Sequence, residues 1–193
     1  RQFPLLPIIG IEPAIKPATL ATKSRHIAVA ATYATLKSAR LNQLIKSFAG
    51  DQNHSESITV HKIIGTDWVT LVEKGELSGL NTQAVMERSL AIFKEYPIDQ
   101  LVLGCTHFPF LTTAIKAVLP PTIELIDPAP AIVKETLNRL PPLSEERESL
   151  KASKDSEESF LMPKLYLYTT GELTPYQKQA KLLKTEGYQL ELL

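Results

Sequence analysis

Short apolar runs alternate along the chain with longer stretches in which apolar positions recur every three or four residues. Residues 6–11, 26–31 and 101–104 are compact apolar runs and predict buried strands; the first is closed by Glu12-Pro13. Residues 57–63 alternate more and predict an outer strand, while 123–127, 165–169 and 188–193 predict three further strands. Between them lie helical patterns. Residues 35–49 place Leu36, Ala39, Leu44, Ile45 and Phe48 on one stripe. A second helix opens at Asn81-Thr82, turns Val85, Leu90, Ile92 and Phe93 inward, and ends before Pro97. A third carries Pro109 in its first turn and Leu111, Ile115 and Val118 on its inner face, and stops at Pro120-Pro121. Residues 128–140 and 175–186 predict two more, the last ending at Gly187.

Strands separated by helices imply right-handed crossovers and a mainly parallel sheet with helices on both faces, a three-layer α/β fold. Residues 141–159 break the rhythm; rich in acids and serines, they read as a solvated helix end and linker.

Composition narrows the classes of function. The 193 residues carry 21 Lys+Arg against 21 Asp+Glu, a formal net charge of zero, which argues against nucleic-acid and anionic-membrane partners. No apolar run is long enough to span a bilayer. The single cysteine excludes an internal disulfide and a multi-cysteine zinc cage, and a free thiol fits a reducing, cytoplasmic setting. The start, Arg1-Gln2-Phe3-Pro4, has neither Met nor a signal layout and reads as the boundary of a longer reading frame.

One stretch carries chemistry. In open α/β sheets ligands bind outside the carboxyl ends of the strands. After the run 101–103 comes Gly104-Cys105-Thr106-His107-Phe108-Pro109. Gly104 permits a tight turn or a close approach. Cys105 and Thr106 are expected at or just before a helix N-terminus, where a thiolate is favoured. His107, two residues on, offers a cationic neighbour or a relay to a carboxylate. Taken alone, such a cysteine is more often a small buried hydrophobe. A hydrolase nucleophile with its base also fits, whereas two residues this close rarely complete a metal cage.

The string from Gly104 to Pro109 resembles the C-terminal active-site signature of the glutamate racemases, in the cofactor-independent aspartate/glutamate racemase superfamily. Other stretches agree in order and spacing from Leu6 to Leu193. They are Gly10-Ile11-Glu12-Pro13-Ala14, Ala31-Thr32-Tyr33-Ala34-Thr35 with Ser38, Leu71-Val72-Glu73-Lys74-Gly75, Ile126-Asp127-Pro128-Ala129, and Tyr168-Thr169-Thr170-Gly171. Aspartate enzymes usually carry Glu at the position of His107, which favours glutamate.

The resemblance implies a two-base interconversion of L- and D-glutamate, supplying D-glutamate for peptidoglycan, with neither pyridoxal phosphate nor metal. Two cysteines face opposite sides of the α-carbon, and Cys105 matches the one that acts as base toward L-glutamate. His107 would assist proton transfer, and Glu73 matches a carboxylate beside this half of the site. Thr106, Thr32 and Thr35 would contact the substrate. Glu73 also reads simply as a solvated helix residue, and Thr32 and Thr35 as helix caps. His26, His54 and His61 match nothing in the family pattern and read as structural or surface residues. Trp68 reads as packing.

The family's first third, with its own cysteine, has no counterpart here. The expected organisation is therefore a second α/β domain of the racemase type over residues 1–125, with residues 126–193 as the C-terminal remainder of a similar first domain. Ile132, Leu137, Leu165, Leu167 and Leu182 would then face missing partners. The chain alone is expected not to racemise, and the intact protein is expected to be a cytoplasmic homodimer. An aspartate or hydantoin racemase, a cysteine hydrolase and a non-catalytic binding module stand as alternatives.

Overall fold

A computed structural model of the chain describes residues 8–50, 57–139, 164–167 and 189–192. The chain divides into two compact units, residues 1–138 and 139–193.

The first unit is built on β1 (His26–Ala31), β2 (Thr59–Ile64), β3 (Gln100–Leu103) and β4 (Glu124–Ile126). They form one parallel sheet in the order β2-β1-β3-β4, with Ile27 opposite Val60 and Gln100, and Gln100 opposite Glu124. The two central strands are buried almost throughout, as strands covered on both faces must be. Alternate residues serve opposite layers. Ala28, Ala30, Leu101 and Leu103 join a core with Trp68, Met86, Phe108 and Ile115. Ile27, Val29, Ala31 and Val102 join another with Ile15, Leu36, Leu41 and Leu44.

The helices of the first unit are α1 (Ile15–Ala21), α2 (Tyr33–Lys37), α3 (Ala39–Phe48), α4 (Thr66–Lys74), α5 (Leu80–Ser89), α6 (Thr112–Val118) and α7 (Ala129–Arg139). The core memberships place α1–α3 on one face of the sheet and α4–α6 on the other. The chain leaves β1 toward β2, then returns across β1 to β3. The connections therefore diverge between β1 and β3, the switch point where such sheets open a ligand crevice. The second unit contains β5 (Lys164–Leu167) and β6 (Gln189–Leu192), paired in parallel. Among the described residues, no helix is long and apolar enough to cross a membrane.

Three expectations differ from the observed fold. The described part of the run at 6–11, from Ile8 on, is not a strand; Ile8 and Ile11 are exposed, and the core residues come instead from Ile15 and Ala18 of α1. A short apolar run cannot by itself show whether a neighbouring strand will accept it. The helix expected over 35–49 is broken at Ser38, whose backbone is extended and whose side chain accepts from Leu41 N at 3.2 Å, starting α3 afresh. That restart rotates the stripe, so Leu41 is buried and Phe48 is exposed. The second expected helix ends at Ser89 and passes into a 3-10 turn, Ala91–Lys94, with Met86 also buried. α7 buries none of its side chains completely, and Val133 and Leu137 are exposed. The expected helix 175–186 with Leu182, the charged stretch 141–159 and His54 lie outside the described residues.

Near the amino end of β1, His26 Nδ1 and His61 Nε2 stand 3.0 Å apart, and the Tyr96 ring centre lies 4.4 Å from that of His61. One imidazole must stay neutral to accept this bond. Burial, then the neighbouring His26, hold His61 below its ordinary value of 6.5. As pH falls below the ordinary value the unfolded chain takes up this proton before the folded one. The stability from His61 is therefore complete above that range and is lost as pH falls through its folded value. We expect the thermal midpoint to drop on acidification from neutral pH, and the slope to flatten in His61→Gln, measured by circular dichroism.

Candidate active site

β3 ends at Leu103, and its last step is taken against β1: Gly104 N donates to Ala30 O at 2.7 Å. A Cβ on Gly104 would lie 2.9 Å from that carbonyl oxygen and 3.1 Å from Ala31 Cβ. No side chain fits, so glycine is required here for space. Beyond it the chain turns. Phe108 N donates to Cys105 O at 3.1 Å and Phe110 N to His107 O at 3.2 Å, leading into a 3-10 turn over Phe108–Leu111 that contains Pro109. The helix proper, α6, begins only at Thr112 and is seven residues long. The expected support for a thiolate from a helix N-terminus directly at Cys105 is thus replaced by a nearer group.

That group is His107. Cys105 Sγ lies 3.6 Å from His107 Nδ1, within reach of a sulfur hydrogen bond, and His107 Nε2 lies 3.7 Å from Glu73 Oε1. Each ring nitrogen therefore has its own partner. With Nε2 protonated toward the carboxylate, Nδ1 is left as the acceptor for the thiol. Cys105 is half-buried and packs against the core around Phe108 and Trp68, yet it still meets His107. The His107 and Glu73 side chains are 35% and 58% exposed, so water screens any attraction between them.

Glu73 occupies the last turn of α4, which ends at Gly75 in the left-handed conformation (φ 73°), its N–H returning to Val72 O and that of Glu76 to Leu71 O. The Leu-Val-Glu-Lys-Gly stretch is thus a helix end that delivers a carboxylate to the turn after β3.

Thr32 follows β1. It caps α2 by accepting from Thr35 N at 3.3 Å, and its hydroxyl meets that of Thr35 at 3.0 Å. The capping expectation holds for Thr32 and not for Thr35, which lies inside α2, while α3 is capped by Ser38. Lys62 of β2 donates to Leu36 O at 3.1 Å and to Asn42 Oδ1 at 3.0 Å, which braces the corner between α2 and α3. Thr106 is exposed between Cys105 and His107. The structure therefore brings Cys105, His107 and Glu73 into one relay. It sets Thr32 and Thr35 at the same carboxyl edge, in the cap and first turns of the helix that follows β1, the strand adjacent to β3. The residue pattern did not single out Gly65, which caps α4 and faces the Phe108 ring; its signal was a glycine between an alternating run and a helical one.

A separate groove of about 360 Å³, lined by Leu77, Gly79, Leu80, Thr82, Thr113 and Ala117, includes none of these residues. Among the described residues, no group of three or more His, Cys, Asp or Glu is placed to hold a metal ion.

Known proteins resemble this chain over most of its length. A family model for Asp/Glu/hydantoin racemases matches residues 1–136. A glutamate racemase of Pseudomonas paraeruginosa is 37% identical over 135 residues, covering 70% of this chain and 49% of the relative. One from Shewanella halifaxensis is 33% identical over 171 residues, covering 88% of this chain and 58% of the relative. The crystal structure of Escherichia coli glutamate racemase with L-glutamate and the activator UDP-MurNAc-Ala superposes with a TM-score of 0.72 at 26% identity, covering 97% of this chain and 65% of that one. The chain spans about half the length of the first of these relatives.

Gly104→Ala should cost about 1–3 kcal/mol, the usual range for a group forced into a close-packed site. Urea unfolding followed by far-UV circular dichroism checks this.

Proposed function

The chain belongs to the Asp/Glu/hydantoin racemase family, and from that premise we propose that it is the part of a glutamate racemase that carries the proton-transfer group for one face of the amino acid. The observation that carries this reading is the relay from Cys105 through His107 to Glu73 at the carboxyl edge of a parallel sheet. The α-hydrogen of an amino acid is weakly acidic, so its removal needs a thiolate held against the α-carbon and a place for the thiol proton to go. His107 takes the proton from Cys105 through Nδ1 while Glu73 holds the opposite ring edge. The thiolate then removes the α-hydrogen of L-glutamate, and the S–H so formed can return it. Thr106 receives a substrate carboxylate, and Thr32 and Thr35 approach from the adjacent turn.

Racemisation needs a second proton donor on the opposite face, and this sequence has one cysteine. In this reading residues 1–125 form the second domain of the enzyme and 126–193 the return segment of the first. The chain alone exchanges the α-proton of one enantiomer and does not invert it. The whole protein, in the same reading, is a cytoplasmic homodimer that supplies D-glutamate for peptidoglycan and uses no cofactor.

Incubation with L-glutamate in deuterium oxide, followed by proton NMR, tests this. The expected outcome is loss of the α-proton signal without D-glutamate. Cys105→Ser should abolish the exchange and His107→Asn should slow it by roughly 10²-fold, the lower range for a general base. Appearance of D-glutamate would contradict the one-base assignment, and exchange of aspartate in preference to glutamate would move the reading to the aspartate enzymes.

A further inference from the structure

The Phe108 ring occupies the space that any side chain at position 65 would need. A Cβ on Gly65 would lie 2.4 Å from Phe108 Cζ, 2.9 Å from Cε2 and 3.3 Å from Cε1. The φ of Gly65 is −104°, open to any residue, so the requirement is for space and not for backbone freedom. Phe108 is fully buried, with its ring centre 4.9 Å from that of Trp68 at an interplanar angle of 62°, an edge-on aromatic contact. Trp68 is itself held: Nε1 donates to Ser89 Oγ at 3.2 Å, and Ser89 Oγ donates to Val85 O at 2.8 Å. The ring is thus gripped between the start of α4 and an indole anchored to α5.

Two groups of the relay hang from the two sides of this contact. His107 is the residue directly before Phe108, and Glu73 lies one and a half turns beyond Trp68 on α4. We propose that Gly65 is a positioning residue: by seating Phe108 it sets the separation between His107 and Glu73, and through it the coupling of Glu73 to the Cys105 thiol. The proposal rests on the reading of Cys105 as the proton carrier. A methyl at position 65 must displace the ring by about 1 Å to reach ordinary carbon–carbon separation. A close-packed interior passes such a shift to its neighbours. The 3.7 Å contact between His107 and Glu73 is already long, so a further displacement disconnects it.

The test needs no turnover. Since the chain has one cysteine, its alkylation by iodoacetamide reports a single site. Rates at neutral pH are compared for the full chain, Glu73→Gln, Gly65→Ala and the double variant. Glu73→Gln should slow alkylation roughly threefold, within the range of couplings between contacting groups. Gly65→Ala should slow it similarly, and Glu73→Gln should add nothing in that background. Adding Phe108→Leu, which removes the far end of the ring, should restore the dependence on Glu73. A Gly65→Ala substitution that merely loosened the fold would not erase one specific coupling and regain it on trimming the ring. Circular dichroism checks folding. Should Gly65→Ala unfold the chain, Phe108→Leu alone slackens the same seat and should weaken the Glu73 dependence. An equal Glu73 effect in every background, or none in the parent, overturns the proposal. Failure of glutamate exchange alongside an intact alkylation coupling would remove the racemase reading and leave the positioning role standing.

Discussion

The close approach of β1 and β3 at their carboxyl ends decides where everything else in the site can be. Gly104 donates to Ala30 O at 2.7 Å in a space that admits no Cβ. Because the strands run parallel and in register, with Ala30 opposite Leu103, the chain leaves both of them at one level of the sheet. Thr32 and Cys105 are the first positions past that level with freedom to point outward. A bulkier residue at 104 would separate the strand ends and the sulfur would lose its fixed origin. The switch-point topology then leaves the space above the two strand ends clear of connecting helices.

From that origin the relay is assembled by packing more than by charge. The sulfur reaches His107 within one turn, and the carboxylate arrives from a different crossover, at the end of α4. Both flanking groups are partly open to water, so their electrostatic attraction is weak, and the edge-on contact between Phe108 and Trp68 supplies the rigidity. Proton abstraction from carbon gains most where water is excluded and the field of fixed groups is undiluted. In a half-open wall of this kind the attraction between His107 and Glu73 remains damped. A second wall covering Cys105 would strengthen every contact in the relay at once.

The strands with continuous apolar character, 26–31 and 101–103, were legible because burial on both faces leaves no room for polar positions. The edge strand at 59–64 was legible from its alternation. The run at 6–11 has the same local character, and Ile8 and Ile11 are nonetheless exposed. Nothing local distinguishes an apolar segment that joins a sheet from one that lies beside it. The break at Ser38 hid for a different reason: a serine inside a helical pattern is compatible with continuation, and only the geometry of packing α3 against the sheet made the cap worth more than one longer helix.

Alone, the sequence determined the alternation of buried apolar runs with helical stretches, the parallel sheet that this implies, and the adjacency of a thiol and an imidazole at Cys105 and His107, since these follow from local periodicity and from neighbours two residues apart. Tertiary structure decided which carboxylate faces the imidazole, because Glu73 and His107 are brought together only when α4 and the turn after β3 pack on one face of the sheet. It also decided why position 65 must be glycine: the atoms that forbid a side chain there belong to Phe108, forty-three residues away along the chain, and no local rule can sense them.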